Sequence, residues 1–358
     1  MSLPLDHWWI RFPLLRWRRG VSVETEELSE EPSLDDLTGP YYVAWWITNR
    51  CNLLCVHCIN DSGPFHQFDN ELAGDEIERV ARQIVELGVP QGSITGGEPL
   101  IHKDFFKVAG YLSDNGVSLN VETDAQLINR ETARRIARLN LRAMQVSVDG
   151  ATQSTYGLMR RTTTGSAELS RVLDAIRMLA EEGVRVSVNF VPTRFSANEV
   201  GQVIDAVAAL GAKTFYTGRI MRVGRAAMNW KWLAPTEAQY QGFFATLNQK
   251  AKEYSGRVRI IYYPYTVTHE LKFRTENPAA SFVILPNGKV KMIASMPFLC
   301  ADLRRHSLAE AWERYKIAWK HPMVREFSEK VKDDDPMLAS NNSFVELDLE
   351  QPVIQSKV

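Results

Sequence analysis

Cysteine is scarce in this chain of 358 residues: there are four, too few for a disulfide-stapled scaffold. Surplus charge is missing as well. The 42 Lys and Arg against 43 Asp and Glu leave a formal net charge of −1, so there is no global basic field of the kind that holds nucleic-acid phosphates. No run approaches the roughly 18 apolar residues of a membrane-crossing helix, and the first residues lack the charged-then-apolar layout of a secretory signal. The expectation is a cytoplasmic protein that meets no nucleic acid and does not span a membrane. What is present is ordinary globular composition, 45% hydrophobic and 24% charged, in a chain long enough to bury a sizeable core. Disorder as the main state is thereby excluded, and small-molecule or peptide substrates become the expectation.

Residues 1–40 divide into a basic aromatic piece (Trp8, Trp9, Arg11, Phe12, Arg16, Trp17, Arg18, Arg19) and an acidic one (Glu24, Glu26, Glu27, Glu30, Glu31, Asp35, Asp36). This N-terminal arm reads either as a docking segment or as a piece packed on the domain. After Pro40, short apolar β-type runs alternate with stretches of helical period. Strands are expected at 41–48, 92–95, 117–123, 143–148, 184–191 and 213–217, with helices between them. Repeated βα units give parallel strands with right-handed crossovers, so the fold class is α/β, either an open doubly wound sheet or a complete or partial barrel. Ligands then sit at the carboxyl ends of the strands. Near residue 230 the rhythm is expected to stop. A helix over 236–254, a strand over 258–263, a hairpin through Pro286-Asn287-Gly288 and a helix opening at Ser307 with Glu310 in the capping-box position form a small α+β module over 231–330. Residues 331–358 show no period and read as a tail.

Three of the four cysteines, Cys51, Cys55 and Cys58, form C-x3-C-x2-C directly after the first expected strand. That spacing sets three soft thiolates on one loop at the mouth of the sheet, and thiolates select zinc or iron-sulfur clusters. A closed structural zinc site would need a fourth ligand, His57 or the distant Cys300, and His57 adjoins Cys58. A [4Fe-4S] cluster held by only three cysteines would keep one iron open, which is a catalytic feature.

This loop resembles the C-x3-C-x-Φ-C signature of radical S-adenosylmethionine (SAM) enzymes, with His57 at the position that is usually aromatic. Thr95-Gly96-Gly97-Glu98-Pro99 resembles the family's GGEP motif, Ser147-Val148-Asp149-Gly150 is similar to its S-x-D-G stretch, and Thr123-Asp124-Ala125 stands where many relatives read T-N-G. The resemblance implies a partial (β/α)6 TIM-like barrel over residues 41–230. It implies a [4Fe-4S] cluster on Cys51, Cys55 and Cys58, with SAM against His57, Gly96, Gly97, Glu98, Pro99, Thr123, Ser147, Asp149, Arg161 and Asn189. Arg161 falls where an arginine often pairs the SAM carboxylate, and Arg160 is an equal candidate by spacing. The Gly96 and Gly97 backbone is expected to approach the methionine moiety of SAM. The chemistry implied is reductive cleavage of SAM to a 5′-deoxyadenosyl radical that abstracts hydrogen from substrate, with an external one-electron reductant such as flavodoxin or ferredoxin.

Residues 282–290 and 303–312 resemble the start of the SPASM extension of peptide-modifying and cofactor-maturing relatives. The cysteines that hold auxiliary clusters there are missing, since Cys300 is the only cysteine beyond Cys58. A degenerate SPASM-like module without auxiliary cluster is expected. Cys300 reads either as a hydrogen-atom donor or as a packed core residue, the latter favoured because free cysteine behaves as a small buried hydrophobe. Arg219, Arg222 and Arg225 could bind an anionic substrate or form a solvated loop. The leading expectation is a natural-product precursor (sugar, nucleoside or amino acid) undergoing redox-neutral epimerisation or decarboxylation. The alternatives are a ribosomal peptide and a non-catalytic zinc or cluster scaffold.

Overall fold

In the computed structural model, residues 23–25, 33–332 and 336–350 are described. The basic aromatic piece of the N-terminal arm lies outside them, as does most of the acidic piece. The strands are β1 (Val23–Thr25), β2 (Tyr42–Thr48), β3 (Gln91–Gly96), β4 (Ser118–Thr123), β5 (Ala143–Ser147), β6 (Val186–Phe190) and β7 (Thr214–Gly218). They continue as β8 (Arg259–Tyr263), β9 (Ser281–Ile284), β10 (Lys289–Lys291), β11 (Phe298–Asp302) and β12 (Val345–Glu346). All join one sheet in the order β1-β8-β7-β6-β5-β4-β3-β2-β9-β10-β11-β12.

From β2 to β8 every pairing is parallel, and each strand lies beside its predecessor. Each crossover therefore advances one place in the same direction, the winding of a barrel. The two ends of this run pair with β9 and β1 and not with each other, so the barrel is partial. Because helices cover a parallel sheet, β2 is buried at Val43, Trp45, Trp46, Ile47 and Thr48, a near-continuous run in place of an alternation.

The six expected strands form within a residue or two of their expected bounds, and the rhythm goes one unit further than residue 230. The helix Glu237–Glu253 is the crossover onto β8, whose ladder with β7 runs from Thr214↔Arg259 to Gly218↔Tyr263. Two short helices, Gly224–Met228 and Trp230–Leu233, interrupt this crossover and hide its period. The hairpin forms between β9 and β10, with Gly288 at φ +83°, a conformation the Asn-Gly turn supplies readily. The helix Leu308–Ala318 carries the expected capping box of Ser307 and Glu310, and packs Trp312 and Tyr315 against Phe282. The segment read as a tail is ordered in part: Pro336–Asn342 is a 3₁₀ helix, and β12 pairs in parallel with β11. No helix among the described residues is long and apolar enough to cross a membrane.

Candidate active site

Residues at and just beyond the carboxyl ends of β2 to β8 enclose a cavity of about 970 Å³. Cys51, Cys55, His57 and Cys58 line it, with Gly96, Gly97, Thr123, Ser147 and Asn189 from successive strand ends. It extends to Tyr263 at the end of β8 and to Tyr265 and Glu270 beyond it.

The cysteine loop is held by the segment after the helix Gln153–Met159: Leu54 N donates to Arg161 O (2.7 Å) and Val56 N to Met159 O (3.0 Å). Successive residues of an extended segment point opposite ways, so Arg160 turns into the site and Arg161 turns out. Arg160 is 7% exposed and lines the cavity, whereas Arg161 is exposed and does not. Of the two candidates by spacing, the structure therefore brings Arg160 to the site and leaves Arg161 outside it. Arg160 Nε lies 2.6 Å from Asp149 Oδ2, its Nη1 donates to Cys55 Sγ at 3.7 Å, and His57 Nε2 lies 3.0 Å from the same Asp149 oxygen. The other Asp149 oxygen accepts from Val191 N. Burial alone would raise the Asp149 carboxyl, but Arg160 and His57 outweigh it and hold it well below the usual carboxylate range. Burial pushes the Cys55 thiol up to about 12 against the opposing pull of Arg160, and also raises Cys51. Binding a metal here releases protons.

The two glycines face the protein's own backbone. At Gly97 a Cβ would stand 2.0 Å from Arg50 O, and at Gly96 (φ +129°) 2.3 Å from Thr48 O. Both are needed so that the loop after β3 can lie on the cysteine loop, where Gly97 N donates to Thr48 O and Glu98 N to Arg50 O. Asn60, just past Cys58, donates to Gly96 O. Glu98 and Pro99 are buried and do not line the cavity. Glu98 accepts from Thr123 Oγ1, Asp124 N and Leu100 N, which ties the ends of β3 and β4 together. Burial, with Asp124 beside it, raises its carboxyl. Asp149 likewise sits behind the wall, at 0% exposure.

Asp124 was not singled out by its motif, yet it lines the cavity with Cys51 Sγ 3.8 Å from its Oδ2. The signal was the next residue: Ala125 adopts φ +61°, where the related stretch has glycine. Glu122 also lines the cavity, its carboxyl raised by burial. The three arginines have contacts within the protein, although the buried Nε of Arg222 and of Arg225 has no hydrogen-bond partner among the described residues. Arg219 is bidentate to Glu237 and stacks on Tyr240, Arg225 donates to Ser62 O, and Arg222 sits over Trp230. Cys300 lies in β11, 2% exposed and outside the cavity, its thiol pushed up to about 12 by burial. The packed reading of Cys300 is the one the structure supports.

The residues present suit a cluster and an organic cofactor. Among the described residues no three His, Cys, Asp or Glu side chains gather as a single-ion site requires. Three thiols along one wall suit a cluster, in which each binds its own iron. Among the described residues, buried His57 Nδ1, Asn60 Oδ1 and Arg225 Nε of the cavity lining have no hydrogen-bond partner in the protein, which suits a polar ligand.

The family model described as the Radical SAM superfamily matches residues 46–207, from β2 into the helix that precedes β7. The chain carries a radical SAM domain. The cofactors that go with that domain are a [4Fe-4S] cluster and SAM. Among curated relatives, the mycofactocin maturase MftC of Mycobacterium ulcerans (strain Agy99) is 31% identical over 220 residues, 60% of this chain and 57% of the relative. The chain thus spans a little over half the length of that maturase. The AdoMet-dependent heme synthase of Methanosarcina barkeri is 24% identical over 78% of this chain and 83% of its own. The PqqA peptide cyclase of Rhodopseudomonas palustris is 28% identical over 70% and 66%. Among solved structures, Streptococcus suis SuiB bound to precursor peptide SuiA superposes with a TM-score of 0.64 at 15% identity, over 87% of this chain and 68% of that one. This last likeness shows that the radical SAM domain and its C-terminal module share that fold.

Proposed function

We propose that the chain is a radical SAM enzyme that modifies a ribosomally made peptide. The observation that carries this reading is the continuity of one cavity from the three thiols at the end of β2 to Tyr265 and Glu270 beyond β8, room for a substrate beside the cofactor. When bound, the cluster and SAM supply a 5′-deoxyadenosyl radical, formed with one electron from a flavodoxin- or ferredoxin-like partner, that abstracts a hydrogen atom from the substrate. The protein's own residues hold and shield. Cys51, Cys55 and Cys58 would hold the cluster, Arg160 offers charge beside Cys55, and His57 Nδ1, Thr123, Ser147 and Asn189 present polar groups along the wall. The apolar lining from Trp46, Phe190, Val191 and Tyr216 excludes water from the reacting centre.

A peptide substrate is supported by relatives named as a maturase and a peptide cyclase, and by the fold shared with a precursor-peptide complex. A small precursor is the second reading, favoured by the heme synthase, which aligns over more of this chain. Cys300 lies outside the cavity, so epimerisation with that thiol as donor loses its support, and decarboxylation is the redox-neutral outcome that stays.

The test is anaerobic reconstitution with iron and sulfide, an iron count, and reduction in the presence of SAM. Short peptides encoded beside the gene are co-expressed and weighed by mass spectrometry. About four irons per chain, 5′-deoxyadenosine and a mass change on one peptide are expected. Tightly bound zinc without SAM cleavage would overturn the enzyme reading; SAM cleavage with every peptide unmodified and a small precursor consumed would overturn the peptide reading.

A further inference from the structure

A lysine is buried where nothing in the site's chemistry calls for one. Lys291, at the end of β10, is 0% exposed. Its Nζ donates to Ala294 O (2.9 Å) and to Asn341 O (2.8 Å), and lies 5.3 and 5.4 Å from the ring centroids of Trp46 and Phe344. Asn341 is itself 0% exposed and reaches the other way. Its Oδ1 accepts from Gly224 N (2.8 Å), and its Nδ2 donates to Ile59 O (3.3 Å) and to Ala294 O (3.2 Å). Asn342 Nδ2 adds a second donor to Ile59 O at 2.9 Å.

Four segments distant in sequence meet here: the C-terminal hairpin, the 3₁₀ helix Pro336–Asn342, the helix start after β7, and the peptide that follows Cys58. The approach is close. Arg225 N donates to Cys58 O at 2.9 Å, and at Gly224 (φ +53°) a Cβ would stand 2.5 Å from both Cys58 O and Ile59 O. A buried polar group of this kind adds little net stability, because its desolvation offsets its bonds. What it adds is uniqueness: the carbonyls of Ala294 and Asn341 are satisfied by one arrangement of the hairpin and the 3₁₀ helix, and that arrangement places the Asn341 amide on the Cys58 loop.

We propose that Lys291 and Asn341 form a clasp by which the C-terminal module positions Cys58. This rests on the reading of Cys58 as a cluster ligand. Lys291 touches no reacting group; it acts through Asn341 on the Ile59 carbonyl, and through Trp46 on the cavity wall.

Lys291→Met keeps the length of the side chain and removes its donors, Asn341→Ala removes the link to the loop, and Lys289→Met is the control, since Lys289 on the same strand pairs only the exposed Glu346 in the described residues. Hydrogen exchange of the full chain before reconstitution is the first readout. Residues 56–62 are expected to exchange about tenfold faster in both clasp variants and at the parental rate in the control. The second readout is the electron paramagnetic resonance spectrum of the reduced, reconstituted protein, in which the shift on adding SAM should be diminished in the clasp variants alone. Unchanged exchange at 56–62 in both clasp variants overturns the clasp. Faster exchange with a parental SAM-induced shift overturns the positioning of Cys58. If the first two variants do not fold, Asn342→Ala, which removes the bond to Ile59 O and the oxygen that accepts from Asn341 Nδ2, decides by the same readouts. A parent that takes up no cluster would strike the reading of the cysteine loop, and exchange would still judge the clasp.

Discussion

Asp149 and Arg160 form an ion pair closed off from water: Oδ2 and Nε are 2.6 Å apart, and the side chains are 0% and 8% exposed. Such a pair contributes little by its presence and costs much when broken, because the partner left behind is a buried, uncompensated charge. Arg160→Met is therefore expected to destabilise the protein by about 3–5 kcal/mol. His57→Phe, which leaves Arg160 on the same oxygen, should cost about 1 kcal/mol. Urea unfolding of both variants at neutral pH measures this. The pair also sets an acid limb. A carboxyl held below its ordinary value gives stability that is complete above its unfolded pKa, near 4, and is lost as pH falls further. Equal losses in the two variants would show that Asp149 does not depend on the guanidinium.

Cys300 offers the opposite case, a residue whose chemistry suggested a role that its surroundings do not support. Its thiol is enclosed in β11, with Sγ 3.6 Å from Val290 O and no opening to the cavity. Cys300→Ala should leave reductive SAM cleavage at the parental rate and lower stability by about 1–2 kcal/mol, the cost of a small core void. A normal melt and normal 5′-deoxyadenosine formation with lost substrate turnover would place the thiol in the reaction as a hydrogen-atom donor.

These two sites show what was legible in the residues and what was not. The spacing of Cys51, Cys55 and Cys58 placed the loop, because a cluster demands thiolates at fixed offsets whatever surrounds them. The Asn287-Gly288 turn and the Ser307–Glu310 capping box were legible for the same reason: each is a local rule satisfied by adjacent residues. Arg160 against Arg161 was not, since the choice depends on which backbone carbonyls meet Leu54 N and Val56 N across 105 residues of chain from Cys55 to Arg160. The strand of β8 was expected but not its place in the barrel, because the crossover before it is broken into three helices, and β12 escaped because a strand of two residues has no period. The glycines of the loop after β3 were expected to approach SAM; they line the cavity and also lie against the protein's own backbone. Their tightest contacts are Thr48 O and Arg50 O, which no local pattern reveals.

Lys291 gives the last prediction, because burial brings its ammonium from 10.5 down to about 7 with no carboxylate among its contacts to oppose the shift. Below that lowered value the folded protein carries a buried charge at a cost. Between about pH 7 and pH 10 the unfolded chain still holds a proton that the folded chain has given up. Stability attributable to this residue must then rise with pH across that window, by about 1.4 kcal/mol per unit at most. Lys291→Met has no proton to lose. The stability of the parent minus that of the variant, from urea unfolding at several pH values, should be least favourable to the parent near pH 6 and climb by about 3 kcal/mol toward pH 9.5. Other titrating groups are common to both proteins and cancel in the difference. A flat difference would mean that the ammonium keeps its proton in the fold, held by the Ala294 and Asn341 carbonyls and the Trp46 and Phe344 rings strongly enough to offset its burial.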